Sequence, residues 1–395
     1  MMKRLYIDGL AISLFNKGVG RYSYELIQRV SSRLDEQWKI DVFVYTYDVP
    51  SELKDNRRIN LIRITKMSDL FHNLIWLPLH LRKQHYDILL KPMESSGINY
   101  NVPTITICHD VQELIDEAAG IRQMPHRMFI NYIKRVFKSL NLQKSVVVIC
   151  NSIFTQDAAA AWYKFDKSKA VIGYCGVDER FFVKSKEFMT GKKKKRLECT
   201  DFILTFATGD ARENHDFLPG ILFNIREKGC NSKLIIAGIR EGSEYVKKMD
   251  AELKKYNLQP GLDYQFIGFL GEERIDELVE LYTTADFYLE LSGHEGFGMQ
   301  LAEAMACSTT CISSGAGALA EVGAGFDVQL LSFNVNEISS TIVDSYKNKL
   351  HIRDNSEQVK YVSTHFTWDT VADLVVENIE LFSLDEKKQQ ALPIV

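Results

Sequence analysis

Short runs of β-branched and aromatic residues recur along the whole chain, each apolar at consecutive rather than alternate positions. In the first half they are RLYID, DVFVYT, INLIRI, DILLK, TITICH, SVVVIC and AVIGYC. In the second they are FILTFA, KLIIAG, YQFIGF, DFYLEL, TTCIS and VQLLSF. A strand apolar on both faces needs cover on both, so such runs belong to parallel sheets flanked by helices. The intervening segments supply the helices: in HDFLPGILFNIREKG and EERIDELVELYTTA, apolar residues recur at three and four. A chain of 395 residues exceeds what one hydrophobic core holds. The rhythm breaks at VKSKEFMTGKKKKRLECT, residues 183–200, a charged stretch that ends before a fresh strand. It reads as a solvated linker, with a nuclear signal or an anionic-lipid patch as alternatives. The predicted architecture is α/β: two doubly wound domains facing a deep cleft, with ligands beyond the carboxyl ends of the strands. The predicted boundaries are 1–185 for the first domain, 186–200 for a basic linker and 201–365 for the second domain. Residues 366–395 are predicted to form a terminal helix that packs back on the first domain.

Composition narrows the class. No apolar run approaches the length of a membrane span, and Asp8 interrupts the first apolar segment, which reads as a strand and not a signal peptide. Seven cysteines are scattered without any C-x-x-C, which suggests buried, reduced thiols in a cytoplasmic protein. Metal-ligand spacing is absent, so no metal is expected. The net charge of −4 hides an asymmetry: residues 1–190 carry 27 basic and 20 acidic side chains, the remainder 21 and 32. The basic half is expected to face something anionic.

The stretch SGHEGFGMQLAEAMA, 292–306, carries the sharpest chemistry. It follows the strand DFYLEL, and its glycines Gly296 and Gly298 let backbone amides approach a ligand where a helix begins. That is an anion site at the positive end of a helix dipole. Glu295 lies at the loop tip, where a carboxylate can accept from sugar hydroxyls. Glu303 lies about five residues into the helix, roughly 7 Å along its axis. A carboxylate there suits vicinal ribose hydroxyls, the device of dinucleotide folds. The alternative is that Glu303 is a solvated helix residue.

The segment from FIGFLGEERIDELVELYTTADFYLELSGHEGFG to ALAEVG closely resembles the donor half of glycosyltransferase family 4, which has the GT-B fold of two Rossmann-like domains and is retaining. The resemblance continues through FTW at 366–368 and, more weakly, at GVGRYSYEL, CHD, CNSIFT and GVDERFF. It implies that Glu295 contacts the transferred sugar, Glu303 the ribose, and the amides of Gly296, Phe297 and Gly298 the sugar or phosphate oxygens. Gln300 stands where proline is usual, and Ser308 and Thr310 where glycine and proline are common.

In TGDARENH the resemblance makes Arg212 the grip on the departing diphosphate, but Glu213 takes the usual lysine position. A carboxylate facing a diphosphate would repel it, so Glu213 must turn away or another cation, Arg240 or Arg21, must substitute. Asn214 reads as a helix N-cap. Gly18 and Gly20 begin a helix and could present amides to donor or acceptor, with Arg21 on the acceptor side; a plain turn is the alternative. His109 ends the strand PTITIC at its carboxyl edge; family relatives commonly bring such a histidine to the donor sugar, and Asp110 beside it could orient the ring or meet the acceptor.

The predicted activity is retaining transfer from a nucleotide-diphosphate sugar, with no other cofactor, to a glycan or lipid-linked oligosaccharide in surface polysaccharide synthesis. Domain closure would exclude water. The rival is a non-catalytic subunit that binds a partner transferase or glycan. No nucleic-acid partner is expected. The acid-free segment 121–145, with Arg122, Arg127, Lys134, Arg135, Lys138 and Lys144 among aromatics, suggests peripheral contact with the inner face of an anionic membrane.

Overall fold

The computed structural model describes residues 2–14, 18–46, 49–94, 101–111, 125–182, 201–352 and 354–384. The predicted linker at 186–200, Arg122 and Cys199 lie outside the described residues. The chain divides into two compact units, Met1–Gly176 together with Trp368–Val395, and Val177–Thr367.

All thirteen apolar runs are strands, and every pairing is parallel. In the first unit β1 (Lys3–Asp8), β2 (Trp38–Val44), β3 (Ile59–Arg63), β4 (Ile88–Lys91), β5 (Thr104–Cys108), β6 (Val147–Cys150) and β7 (Ala170–Ile172) form one sheet, ordered β3-β2-β1-β4-β5-β6-β7. In the second, β8 (Phe202–Phe206), β9 (Lys233–Ala237), β10 (Tyr264–Ile267), β11 (Phe287–Glu290), β12 (Thr310–Ser313) and β13 (Val328–Gln329) are ordered β10-β9-β8-β11-β12-β13. Each sheet therefore reverses its winding once, between β1 and β4 and between β8 and β11. Loops leaving those strands part from each other and open a crevice, which makes the carboxyl ends there the place for a ligand.

The inner strands, such as β4, β5, β6, β11 and β12, are buried on both faces, as continuous apolar runs require, while the edge strands β3, β7 and β13 are partly exposed. In the second unit Ile203, Leu234, Ile236 and Phe287 pack with Leu218, Leu222 and Ile225 of the helix Leu218–Glu227 and with Ile338 and Ile342 of Val335–Lys347. In the first, the helix Trp368–Leu384 packs on Gly18–Arg33, where Arg29 and Arg33 pair with Asp369 and Asp373. Gly176 is needed at the start of this return: a Cβ there would meet the Trp368 amide nitrogen at 2.3 Å. Of the described cysteines, Cys108, Cys150, Cys175, Cys307 and Cys311 are buried and Cys230 is partly buried. No helix among the described residues is long and apolar enough to cross a membrane.

Candidate active site

The β8/β11 switch point carries the strongest constellation. The loop leaving β8 turns at Gly209 (φ +87°) into the short 3-10 turn Ala211–Glu213, and Asn214 follows in the left-handed region (φ 53°). Asn214 is not the cap predicted: its side chain makes no capping bond but donates to the Leu291 carbonyl at 2.9 Å. Asparagine tolerates that conformation, so the loop uses its amide to reach across to β11 instead. The Gly293 amide returns the contact, donating to the Arg212 carbonyl at 2.7 Å.

Across this seam the Arg212 guanidinium donates to the His294 carbonyl at 3.1 Å and to the Glu295 carboxylate. Glu295 is enclosed, and burial followed by the nearby Glu290 carboxylate pushes it up to about 7 against the pull of Arg212. Glu290, the last residue of β11, is satisfied by the Tyr288 hydroxyl at 2.7 Å and by the Ser292 amide and hydroxyl at 3.1 and 2.7 Å. From below, the loop after β12 supports Glu295: the Ala318 amide donates to its carbonyl at 3.0 Å, and a Cβ at Gly317 (φ +63°) would meet its backbone oxygen at 2.7 Å. Neither Glu290 nor Gly317 was assigned a role from sequence, although the S-S-G-A-G that carries Gly317 is a visible signal.

Glu213 resolves the doubt raised by its position. It is buried, and its carboxylate turns back into its own loop, accepting the Thr208 amide at 3.0 Å, the Gly209 amide at 3.2 Å and the Thr208 hydroxyl. Burial raises Glu213, while these donors and Arg212 pull it back. His215 lies 3.5 Å away but burial drives it down to about 4, so it is neutral beside Glu213 and meets the Tyr245 hydroxyl at 2.8 Å. Arg240, one suggested replacement cation, is exposed beyond the end of β9.

The helix Met299–Ala306 begins where predicted, with Gly298 at φ +94° as its N-cap. A Cβ at Gly298 would meet Leu319 at 2.6 Å, so glycine is required twice over, by conformation and by space. First-turn amides of a helix have no intrahelical acceptor, which preserves the anion-binding character of this end. The Phe297 ring is buried edge-on against Phe366 at 5.2 Å; only its backbone faces the role predicted. Glu303 is not a solvated residue. It is buried, and it accepts the hydroxyl of Tyr282 at 3.1 Å. Leu281, one residue earlier, lines a cavity of about 360 Å³ together with Glu241, Gly268, Arg274 and Glu280.

In the first unit, Gly18, Gly20 and Arg21 form the opening turn of Gly18–Arg33, and the next residue, Tyr22, sets its ring edge-on against His109 at 4.6 Å. The fold thus brings the glycine turn and the end of β5 together. His109 is buried, and its Nε2 lies 2.7 Å from the Pro92 carbonyl; a carbonyl only accepts, so Nε2 carries the hydrogen. Its amide donates to Glu94, which Lys138 approaches at 3.3 Å. Asp110 is partly exposed beside it. A residue that sequence reading left without a role, Lys91, closes β4 wholly buried, donates to Asn73 at 2.7 Å, and is lowered to about 8 by desolvation. Among the described residues no cluster of three His, Cys, Asp or Glu side chains could hold a metal.

Two family matches cover most of the chain: residues 16–181 match Glycosyltransferase Family 4 and residues 190–359 match Glycosyl transferases group 1. The chain belongs to the family 4 type of GT-B glycosyltransferases. Among curated relatives, the serotype-specific mannosyltransferase WbdA of Escherichia coli is 22% identical over 70% of the chain and 33% of its own length. The chain thus spans about a third of the first curated relatives it matches. O-antigen chain mannosyltransferase B of Escherichia coli is 22% identical over 84% of the chain and 87% of its own length. The structure of HepE from Anabaena in complex with UDP and glucose superposes with a TM-score of 0.67 at 16% identity, over 96% of this chain and 100% of that one. At that identity the likeness establishes the fold.

Proposed function

We propose that this glycosyltransferase moves a sugar, with retention of anomeric configuration and without a metal, from a nucleoside diphosphate sugar to a glycan or lipid-linked oligosaccharide of a surface polysaccharide. The Arg212–Glu295 pair at the β8/β11 switch point carries the reading. Its carboxylate is placed to accept from sugar hydroxyls, and its guanidinium is the planar, always-charged group that suits a departing diphosphate. The amides at Gly296 to Gly298 and the following helix terminus add positive potential on the same side. Glu303, held by Tyr282, takes the ribose hydroxyls, and the neighbouring cavity takes the base. No side chain is assigned as a nucleophile. In the other unit His109, fixed by Pro92, is a donor-sugar contact, with Gly18, Gly20, Arg21 and Asp110 toward phosphate and acceptor.

HepE is seen with UDP and glucose, and the named relatives above are mannosyltransferases, which supports a hexosyl nucleotide as donor. The orientation of Glu213 supports catalysis over a purely binding role, since its carboxylate is engaged by its own loop. The deciding experiment titrates nucleoside diphosphates and their hexose conjugates, then determines the anomeric configuration of the product by NMR, with and without EDTA. An inverted product or a chelator-sensitive rate would overturn the retaining, metal-independent reading. No affinity for any nucleoside diphosphate would favour the rival, a subunit that binds a partner transferase or glycan. The segment 121–145 is read as the part that meets an anionic membrane.

A further inference from the structure

Two helical segments of the first unit expose apolar stripes to solvent. In the continuous helical run Asp69–Lys83, Phe71, Ile75 and Leu79 are each about half exposed. In Pro125–Lys144, Phe129, Tyr132 and Val136 are exposed at spacings of three and four. Leu79 stands two residues from buried Leu77 and Leu81, and Val136 two residues from buried Lys138. Two helical steps are about 200°, so both stripes point away from the sheet.

Both helices cover the same face of that sheet. Leu77 and Leu81 pack on Tyr6, Phe43 and Leu89, while Leu142 packs with Cys108, Val148 and Cys150. Tyr6 is in register with Leu89, Leu89 with Thr104, and Cys108 with Cys150. Thr104 and Cys108 are separated by an even number of residues, so all these side chains share one face. Met2 and Leu381 aside, every exposed large apolar side chain described in this unit stands on helices of that layer. The two stripe-bearing helices are mainly basic: 125–144 has no acidic residue, and Asp69 is the only one between Lys66 and His85, where Arg82 and Lys83 are exposed.

We propose that this helical layer is a docking face for an anionic lipid bilayer, with the two stripes inserted at the headgroup boundary and Arg82, Lys83, Lys134 and Arg135 among the phosphates. The proposal extends the membrane reading of 121–145 by adding a second helix, and it is independent of the donor site.

Vesicle co-sedimentation tests it, with phosphatidylcholine alone and with phosphatidylcholine containing phosphatidylglycerol. Parent protein binds the anionic vesicles, loses binding as salt rises, and ignores the neutral ones. The pair Ile75→Gln and Leu79→Gln, and separately Phe129→Gln and Val136→Gln, each lower partitioning about tenfold or more. Lys134→Gln and Arg135→Gln lower it about fivefold each. Equal binding to both vesicle types, or to neither, overturns the proposal. Undiminished binding by the 75/79 pair overturns the two-helix surface while sparing the basic segment. Loss of a parent dimer in the stripe variants, seen by sedimentation velocity without lipid, also overturns it by giving the face to a second copy. All substituted positions except the partly exposed Arg135 are exposed, and an unchanged thermal midpoint checks the fold; a pair that unfolds is replaced by its alanine version. Donor titrations remain unchanged throughout, so failure here is distinguishable from failure of the donor site.

Discussion

Arg212 and Glu295 reach each other from the loops that leave β8 and β11, the two strands between which the second sheet reverses its winding. Each neutralises the other in an enclosed place, so substituting one leaves an unpaired charge. Arg212→Ala is expected to lower kcat/KM by about 10²-fold or more, the worth of a group stabilising a leaving charge. Arg212→Lys is expected to recover only part, because an ammonium cannot reproduce the fork. Steady-state kinetics check both; an active Arg212→Ala removes this pair from the mechanism.

Glu295 titrates near neutrality, at about 7. Since it acts as an acceptor, kcat/KM should rise through about pH 7 to a plateau, and Glu295→Gln should flatten that limb. Stability moves the other way. The folded protein holds this proton more tightly than the unfolded chain, so Glu295 costs stability as pH climbs from the ordinary carboxylate range to about 7. Denaturant titrations at pH 5 and 8 should show a smaller loss in Glu295→Gln.

Glu213→Ala should destabilise the protein by about 1–3 kcal/mol, because the amides of Thr208 and Gly209 lose a charged acceptor that ties the loop together. Glu213→Lys should be at least as costly, since lysine offers no acceptor. Urea unfolding measures both. A silent Glu213→Ala would mean that the loop closes without it.

Tyr282→Phe should weaken nucleoside diphosphate binding about three- to tenfold, by loosening Glu303, with less effect on turnover at saturating donor. Calorimetric titration against Glu303→Ala, which should be the larger loss, decides it.

Ser308 occupies φ +64° at the end of Met299–Ala306, held by its amide to the Met305 carbonyl and by Asn355 on its own carbonyl. Ser308→Gly removes left-handed strain and should stabilise by about 0.5–1 kcal/mol after the entropy of glycine is subtracted. Thermal unfolding reads this directly.

The sheets were legible because continuous apolar strands carry their own signature, and the helix start at Met299 because the glycines of SGHEGFG end the apolar strand before a run of helix formers. What escaped depended on where the chain turns. The destination of the Glu213 carboxylate depends on Gly209 folding the loop onto itself, and nothing in TGDARENH separates that from a side chain facing ligand. Glu290 and Lys91 end apolar strands and read as punctuation until packing shows them enclosed. Tyr282 lies twenty-one residues from Glu303, on another helix. The stripe in FHNLIWLPLHL was hidden by its own apolar surroundings, since only burial tells which half faces the sheet.

Glu213 also acts as a resident anion. The amides that it occupies are held by a group that never leaves, so the loop beneath Arg212 has its shape before any donor arrives. The entropy of ordering that loop is spent once, during folding, and not again at every encounter with substrate. Nucleotide capture at this strand end should therefore proceed with little change in amide exchange protection from Thr208 to Asn214. This carboxylate, placed where a lysine is usual, trades an added point of attraction for a surface already in position.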